Sequence, residues 1–319
     1  MRRLIGSLLL AAFVVPAPAP ATAQVARAPT HAPFTVRETG QGFDKLQDAL
    51  MSIRGQDATI LIAPGIYRQC AIQQAGHIVF HAVQPGTVIF DGVACEDKAA
   101  LVLRGASSTV EGIIFRNMRV RDGNGAGIRI EIGDLTVTDS MFLDSQEGIL
   151  GGTDDPAKVT IDHSTFSGLG QCDETPDCAH SIYLASTGVA RVTNSRFERG
   201  RGGHYVKLRI PVVAITGNSF DDSQGHKTNY AIDLPEGATG LIARNTFVQG
   251  VDKENWTGII VVAAEHRKYH SAGLRVEDNV ASLAPGQTKN PGFVVDASHE
   301  KLLIGANRLG AGVRPFELR

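Results

Sequence analysis

The sequence is poor in several features that would point to common protein classes. It has four cysteines but no CxxC pair, which leaves little basis for a zinc site. Beyond the N-terminal segment, no apolar run is long enough to cross a bilayer. Helical periodicity is almost absent, so a mainly α-helical fold is excluded. The formal net charge of the 319 residues is only −2, which argues against nucleic acid as the main partner.

The N-terminus has the pattern of a secretory signal. Arg2 and Arg3 precede the apolar run LIGSLLLAAFVV, and the small residues of Ala21-Thr22-Ala23 suit a signal peptidase. We therefore predict a signal peptide over 1–23, a disordered tether over 24–33 and one domain over 34–319. Removal of the signal takes away two arginines and no acids, so the net charge moves from −2 to −4. We expect a monomer, periplasmic or secreted, without a membrane span.

The cysteine positions suggest two disulfides. Cys172 and Cys178 flank DETPD, a sequence typical of a loop, and Cys70 and Cys95 lie one repeat length apart. Export to an oxidising compartment makes both pairs plausible bridges. The alternative is four free, buried thiols.

A short pattern recurs along the chain: an alternating apolar strand, a turn, a small polar residue and then Phe. Short strands that recur at a period of roughly 20–30 residues predict a solenoid, in which equivalent positions stack about 4.8 Å apart. The clear copies end at Phe142, Phe166, Phe197, Phe220 and Phe247, and looser copies end at Phe115, Ala281 and Leu309. Asn218, Asn245, Asn279 and Asn307 recur at turns and are interpreted as a structural ladder.

A second strand in each coil aligns on its central apolar residue. Because side chains alternate across a strand, every other residue must face outward. One outward row is predicted to contain Arg129, Leu150, Tyr183, Lys207, Asp233 and Val261. A second row, two residues further on, is predicted to contain Glu131, Gly152, Ala185, Arg209, Pro235 and Ala263.

Residues 43–53, FDKLQDALMSI, have the spacing of an amphipathic helix, and ATILIAPGIY follows. With the coil copies, this opening resembles the right-handed parallel β-helix proteins of the pectate-lyase-like superfamily, over roughly residues 34–310. The resemblance implies an all-β, right-handed parallel β-helix whose N-terminal end the helix caps. Members are mostly polysaccharide lyases, glycoside hydrolases, esterases and uronate epimerases, and long polymers lie across the outward rows.

The segment GGHYVKLRI carries the densest set of candidate catalytic groups. Lys207 and Arg209 lie two apart on a strand and project from the same face, about 6.6 Å apart. Such cations repel unless an anion such as a substrate carboxylate lies between them. A lyase acting on a uronate needs a base, a carboxylate clamp and an acid. We assign Lys207 as the base and Arg209 as the clamp. The acid is assigned to Tyr183, His204 or His180, and the two histidines are expected at the mouth of the groove that the outward rows line.

The same face offers further residues for substrate binding. Arg129, Glu131 and Asp233 lie in the outward rows, and Trp256 precedes a groove strand, where it either stacks on a sugar or packs against the tube. Glu265 lies four residues beyond the level of Asp233, so we expect these two carboxylates to be separated by more than about 10 Å, too far for a glycosidase pair. The simpler interpretation of Lys207 and Asp233 is a solvated cross-strand ion pair.

The sequence thus predicts a secreted lyase that cleaves an acidic, uronate-containing polysaccharide by β-elimination. A uronate C5-epimerase abstracts the same proton, and a non-catalytic binding or export scaffold would use the same cations for contacts alone. A glycoside hydrolase is the fourth alternative, suggested by the adjacent Asp154 and Asp155. No cofactor is assigned. A calcium requirement is left open, and no metal-ligating residues are identified.

Overall fold

The computed structural model describes residues 32–152 and 155–319, which form a solenoid of three largely parallel sheets. Sheet 1 contains Phe34–Val36, Gln41–Phe43, Ala58–Ile62, His77–Ala82, Ser107–Glu111, Asp134–Thr138, Lys158–Asp162, Val189–Thr193, Val212–Thr216, Thr239–Ala243, Arg275–Glu277 and Leu303–Ile304. Sheet 2 contains Gly65–Tyr67, Val88–Asp91, Ile113–Arg116, Met141–Leu143, Thr165–Ser167, Arg196–Glu198, Ser219–Asp221, Thr246–Gln249, Val280–Leu283 and Arg308–Leu309. Sheet 3 contains Ala71–Gln73, Ala99–Leu103, Ala126–Ile130, Glu147–Gly152, Ile182–Ala185, Val206–Arg209, Ile232–Leu234, Gly258–Val262, Gly292–Asp296 and Arg314–Leu318. The predicted signal peptide and residues 24–31 of the predicted tether lie outside the described residues.

Sheet 2 carries a stack of phenylalanine rings through the interior. The centroids of Phe142 and Phe166 are 4.8 Å apart and their planes differ by 8°. Stacked aromatic pairs contribute about 0.5–1.5 kcal/mol beyond their burial. The strand registers confirm the alignment predicted from the repeat, including its looser copies: Phe115, Phe142, Phe166, Phe197, Phe220, Phe247, Ala281 and Leu309.

The predicted asparagine ladder is present at the corner between sheets 1 and 2. Asn218 Nδ2 donates to Asn245 Oδ1 at 3.0 Å, and Asn245 Nδ2 donates to Asn279 Oδ1 at 3.0 Å. Asn279 Nδ2 extends the ladder by donating to Asn307 Oδ1 at 2.9 Å. The residue before each of the first three has a positive φ, which turns the strand and leaves the asparagine inside the corner: Gly217, Arg244 and Asp278.

The interior face of sheet 3 is apolar, as the alternation predicts. The inward residues of its central strands are at most 4% exposed: Ile128, Ile130, Ile182, Leu184, Val206, Leu208, Ile210, Ile232, Leu234, Ile260 and Val262. Burial of such side chains stabilises the fold by roughly 1.5–3 kcal/mol each. The outward face of sheet 3 is thereby fixed on a rigid frame.

The N-terminal helix is shorter than predicted. It spans Leu46–Ile53, because Phe43 pairs with Phe34 in an antiparallel bridge and Lys45 has an extended backbone. The helix buries Leu46 and Ile53 on the face that the spacing indicated. It packs against the first strands of the solenoid, at the end it was expected to cap.

Both predicted disulfides are formed, so the alternative of free thiols is wrong. Cys70 is bonded to Cys95, and Cys172 is bonded to Cys178. Two such bonds are typical of an exported protein. Within the described ranges, no helix has the length and apolarity needed to cross a membrane.

Candidate functional site on sheet 3

The outward rows of sheet 3 have the predicted register. Cross-strand pairs connect Arg129 to Leu150, Leu150 to Tyr183, Tyr183 to Lys207, Lys207 to Asp233 and Asp233 to Val261. In the second row, Gly152 pairs with Ala185 and Ala185 with Arg209. The structure therefore brings Tyr183, Lys207, Asp233 and Arg209 together on one face.

Lys207 lies between two carboxylates. Its Nζ is 2.8 Å from Glu265 Oε1 and 3.6 Å from Asp233 Oδ2. The Asp233 side chain is only 4% exposed and that of Lys207 11%. The interpretation of this pair as solvated is therefore wrong, because both side chains are buried and Glu265 also contacts Lys207.

The expected separation of Asp233 and Glu265 is also wrong. Their contacting oxygens lie 3.6 and 2.8 Å from the same nitrogen, so the distance between these two oxygens cannot exceed the sum of the two contacts. The strand ends at Val262, and Ala263 has a φ of 57°, which bends the chain out of the strand. Extrapolation of an extended strand missed this bend, after which Glu265 contacts Lys207.

Arg209 completes the cluster. Its Nε donates to Tyr183 Oη at 2.9 Å, and Nη1 donates to Glu236 Oε1 at 3.1 Å. Its other terminal nitrogen donates to Glu265 Oε2. The anion expected between the two cations is thus supplied by Glu265. Sequence reasoning missed Glu236, which follows the groove strand Ile232–Leu234 in the turn PEG and is within 3.6 Å of Lys268.

The pKa values of the two carboxyl groups that contact Lys207 are shifted in opposite directions. Burial raises the pKa of Asp233 to about 7, and the positive charge of Lys207 offsets only part of that rise. Burial also pushes the pKa of Glu265 upward, but hydrogen bonds from Lys207 and Arg209 outweigh it, and the net shift is downward. Near neutral pH, Glu265 is therefore ionised while Asp233 is divided between its two forms.

His180 and His204 are buried rather than exposed at the mouth of the groove, which corrects their predicted position. Both are buried, and His204 N–H donates to His180 Nδ1 at 3.0 Å. Burial lowers the pKa of His180 to about 3 and lowers that of His204 well below its usual value. Both rings are therefore neutral at physiological pH. His204 Nε2 is 3.4 Å from Asp233 Oδ2, so His204 contacts the cluster through this carboxyl group.

The other residues predicted to bind substrate lie apart from this cluster. Glu131 is paired with Lys98 at 2.6 Å and also with Arg104. Arg129 is partly exposed, three strands from Lys207 in the same row. Trp256 is half-buried, with Lys289 Nζ 5.4 Å from its ring centroid.

A cavity of about 220 Å³ opens beside the cluster. Arg209 and Glu236 form part of its wall, Gly152 and Ala185 lie in its lining, and Tyr269 adds an aromatic ring. This combination of small residues, charged groups and a ring is suited to a polar ligand with flat apolar faces.

Neither a metal site nor the aspartate pair of the hydrolase alternative can be placed. In the described parts of the chain, no three His, Cys, Asp or Glu residues are arranged to hold a metal ion. Asp154 lies outside the described residues.

Comparison with known proteins identifies the fold. The family profile "Right handed beta helix region" matches residues 99–264, more than half of the chain, and the chain belongs to this family. No curated protein matches significantly in sequence. Among solved structures, the Streptococcus pneumoniae surface protein and adhesin PfbA is similar at 11% identity and a TM-score of 0.36. That match covers 86% of this chain and 94% of the other.

Proposed function

We propose that this chain is an enzyme, exported to the periplasm or the medium, that binds an acidic polysaccharide along sheet 3 and cleaves it by β-elimination at a uronate. The proposal depends on one observation. A carboxylate, that of Glu265, is held by Lys207 through one oxygen and by Arg209 through the other.

Lys207 and Arg209 together form a cradle for a carboxylate, and the Glu265 side chain indicates what this cradle binds. It is 40% exposed and belongs to a turn outside the sheet, whereas Lys207 and Arg209 are largely buried in sheet 3. A uronate carboxylate has the same charge and shape, so it can replace Glu265 between the two cations. Neutralisation of that carboxylate would make the adjacent C5 proton more acidic, which is the first requirement of the elimination.

The groups around the cradle supply the two proton transfers. Asp233 can take a proton from Lys207, which leaves a neutral amine, and burial favours a neutral pair over an ion pair. Once Lys207 is neutral, Arg209 carries the positive charge that neutralises the uronate carboxylate, and the amine of Lys207 removes the C5 proton. Tyr183, held by Arg209 at 2.9 Å, donates its hydroxyl proton to the leaving glycosidic oxygen.

The first test is a product assay. The protein is incubated with a panel of uronate polymers, with and without calcium, and the ultraviolet absorbance of unsaturated uronate is followed. We expect the absorbance to rise with the wild type. In Lys207→Ala, the rate of this rise should be lower by at least about 100-fold. Lys158→Ala, at an exposed lysine of sheet 1, is the matched control. Cleavage that survives Lys207→Ala would refute the proposed base.

A glycoside hydrolase is the second candidate, because the structure brings Asp233 and Glu265 to the same nitrogen of Lys207, at 3.6 and 2.8 Å. The resulting upper bound on the separation of their oxygens is compatible with a retaining pair, whose carboxyl groups lie about 5–5.5 Å apart. The opposite pKa shifts suit an acid and a nucleophile, respectively. New reducing ends without unsaturated sugar would favour this candidate over the lyase.

The two remaining alternatives differ in what they do to the polymer. A C5-epimerase would change the uronate configuration without cleavage, which proton NMR of the recovered polymer detects. A scaffold would bind polymer and change nothing, and Lys207→Ala would then weaken binding only.

A further inference from the structure

Arg129 differs from the other basic residues of the sheet 3 surface because it lacks a counter-ion. Its guanidinium makes no hydrogen bond or ion pair among the described residues, and its buried Nε has no partner. By contrast, the following basic residues on or beside sheet 3 are each paired with a glutamate: Lys98, Arg104, Lys207, Arg209 and Arg314. A partly buried, unpaired cation is costly to keep, so its presence calls for a ligand.

The buried Glu147, one strand further on, does not neutralise Arg129. Burial raises the pKa of Glu147 well above its usual value, and the positive charge of Arg129 offsets this only in part. Burial therefore disfavours the charged form of this carboxyl group, and its Oε2 also lacks a partner. An unpaired guanidinium nitrogen and an unpaired carboxyl oxygen thus lie at this end of the face, and no ion pair among the described residues neutralises Arg129.

The distance from Arg129 to the cradle matches a polymer. Arg129 is three strand steps from Lys207 along one row, which is about 14 Å at the spacing of adjacent strands. The intervening positions, Leu150 and Tyr183, present an aliphatic and an aromatic side chain. A chain of 1→4-linked pyranose rings advances by about one coil per ring, and such rings have apolar faces that suit this floor.

We propose that Arg129 is a second carboxylate-binding subsite, for the acidic group of a sugar three rings away from the one held by Lys207 and Arg209. This inference rests on the proposed function and narrows it: the substrate is a polymer with acidic groups at repeated positions. An oligomer that fills only the cradle gains nothing from Arg129, whereas one of four or more rings reaches both sites.

The test compares short and long ligands by titration calorimetry. Tyr183→Phe is used as background, since it removes the proposed proton donor and retains the cradle. The probes are digalacturonate, hexagalacturonate and, as an uncharged control, cellohexaose.

We expect Arg129→Gln to weaken hexagalacturonate binding about tenfold, because one charge-assisted contact is lost. The affinity for digalacturonate should stay within about twofold of that of the background protein. Arg129→Lys should restore most of the affinity. Arg191→Gln should change neither affinity, since this arginine of sheet 1 is exposed and has no partner among the described residues.

The outcomes separate the subsite from the proposed function. If hexagalacturonate affinity is unchanged in Arg129→Gln, or falls equally for both lengths, the subsite is wrong and the cradle stands. If the Tyr183→Phe protein binds no galacturonate oligomer and the wild type cleaves no uronate polymer, the proposed function fails and the subsite with it.

Discussion

Lys207 and Asp233 are directly opposed on adjacent strands of sheet 3, and their charged atoms lie 3.6 Å apart where almost no solvent reaches. In water such a cross-strand pair contributes little, but here burial dominates. The cost of desolvating Asp233 exceeds the attraction of Lys207, which is why the pKa of this carboxyl rises to about 7. A strand pair that would be structural on an open surface thereby contains a carboxyl group that gains and loses its proton near neutral pH.

Asp233→Asn should change how stability depends on pH. The pKa of Asp233 is about 7 in the folded chain and about 3.9 when unfolded, so its stabilising contribution is complete below pH 3.9 and is lost as pH rises through 7. Asparagine does not titrate, so the stability of the variant does not fall in this way as the pH rises. We expect the unfolding free energy of the variant to improve relative to wild type by a few kcal/mol, roughly, between pH 4 and 8. Urea unfolding across this range measures it.

The exposed carboxylate of the helix, altered in Asp48→Asn, is the control for that series. A constant difference between Asp233→Asn and wild type across pH 4 to 8 would mean that Asp233 titrates at its ordinary value. The role of proton acceptor would then be withdrawn.

His180→Asn should make the protein more resistant to acid. The pKa of His180 is about 3 in the folded chain and about 6.5 when unfolded, so its contribution is present above pH 6.5 and lost as pH falls toward 3. Asparagine Oδ1 can replace Nδ1 as acceptor for the His204 N–H. Between pH 6.5 and 4, we expect the variant to lose roughly 3 kcal/mol less stability than wild type. His299→Asn, at an exposed site, should follow wild type, and parallel curves for His180→Asn would contradict the prediction.

The sequence predicted the fold and the register of sheet 3 because a solenoid converts sequence period into spatial stacking. Lys207 could be placed opposite Asp233 by alignment alone. The positions of Glu265 and Glu236 could not, since both follow the ends of strands, where backbone turns rather than alternation set the direction. Ala263 illustrates this: no rule of composition requires an alanine to adopt a φ of 57°.

Burial was the second quantity that local sequence could not supply. His180 and His204 were aligned correctly in one row, with ring centroids 5.0 Å apart, but the alignment did not show that both side chains are buried. The serine positions that precede the asparagine ladder were missed for a related reason. Ser164 and Ser195 occupy the same corner and continue its hydrogen bonds, yet serine is too common in turns to give a signal.

Asn245→Ala should test whether the corner ladder stabilises the fold. Asn245 accepts from Asn218 and donates to Asn279 and to the Ile215 carbonyl, with 1% of its surface exposed. Its removal leaves buried partners unsatisfied, at a cost of about 1–3 kcal/mol each. We expect an unfolding free energy lower by at least about 3 kcal/mol in denaturant titration. The exposed Asn290→Ala serves as control, and a loss below about 1 kcal/mol would indicate that water replaces the side chain.

Glu265→Gln distinguishes the two proposed chemistries through a single side chain. If Glu265 stands in for a substrate carboxylate, the neutral amide frees Lys207 and Arg209, and galacturonate affinity should rise about tenfold while unsaturated product still forms. If Glu265 is instead the nucleophile of a hydrolase, reducing-end formation should fall by at least about 100-fold although the polymer still binds. Glu277→Gln, which breaks an ion pair with Arg275 on sheet 1, controls for the loss of a surface charge. An affinity that does not rise would mean that Glu265 does not occupy the position of a substrate carboxylate, and the case for β-elimination at this cradle would lose its basis.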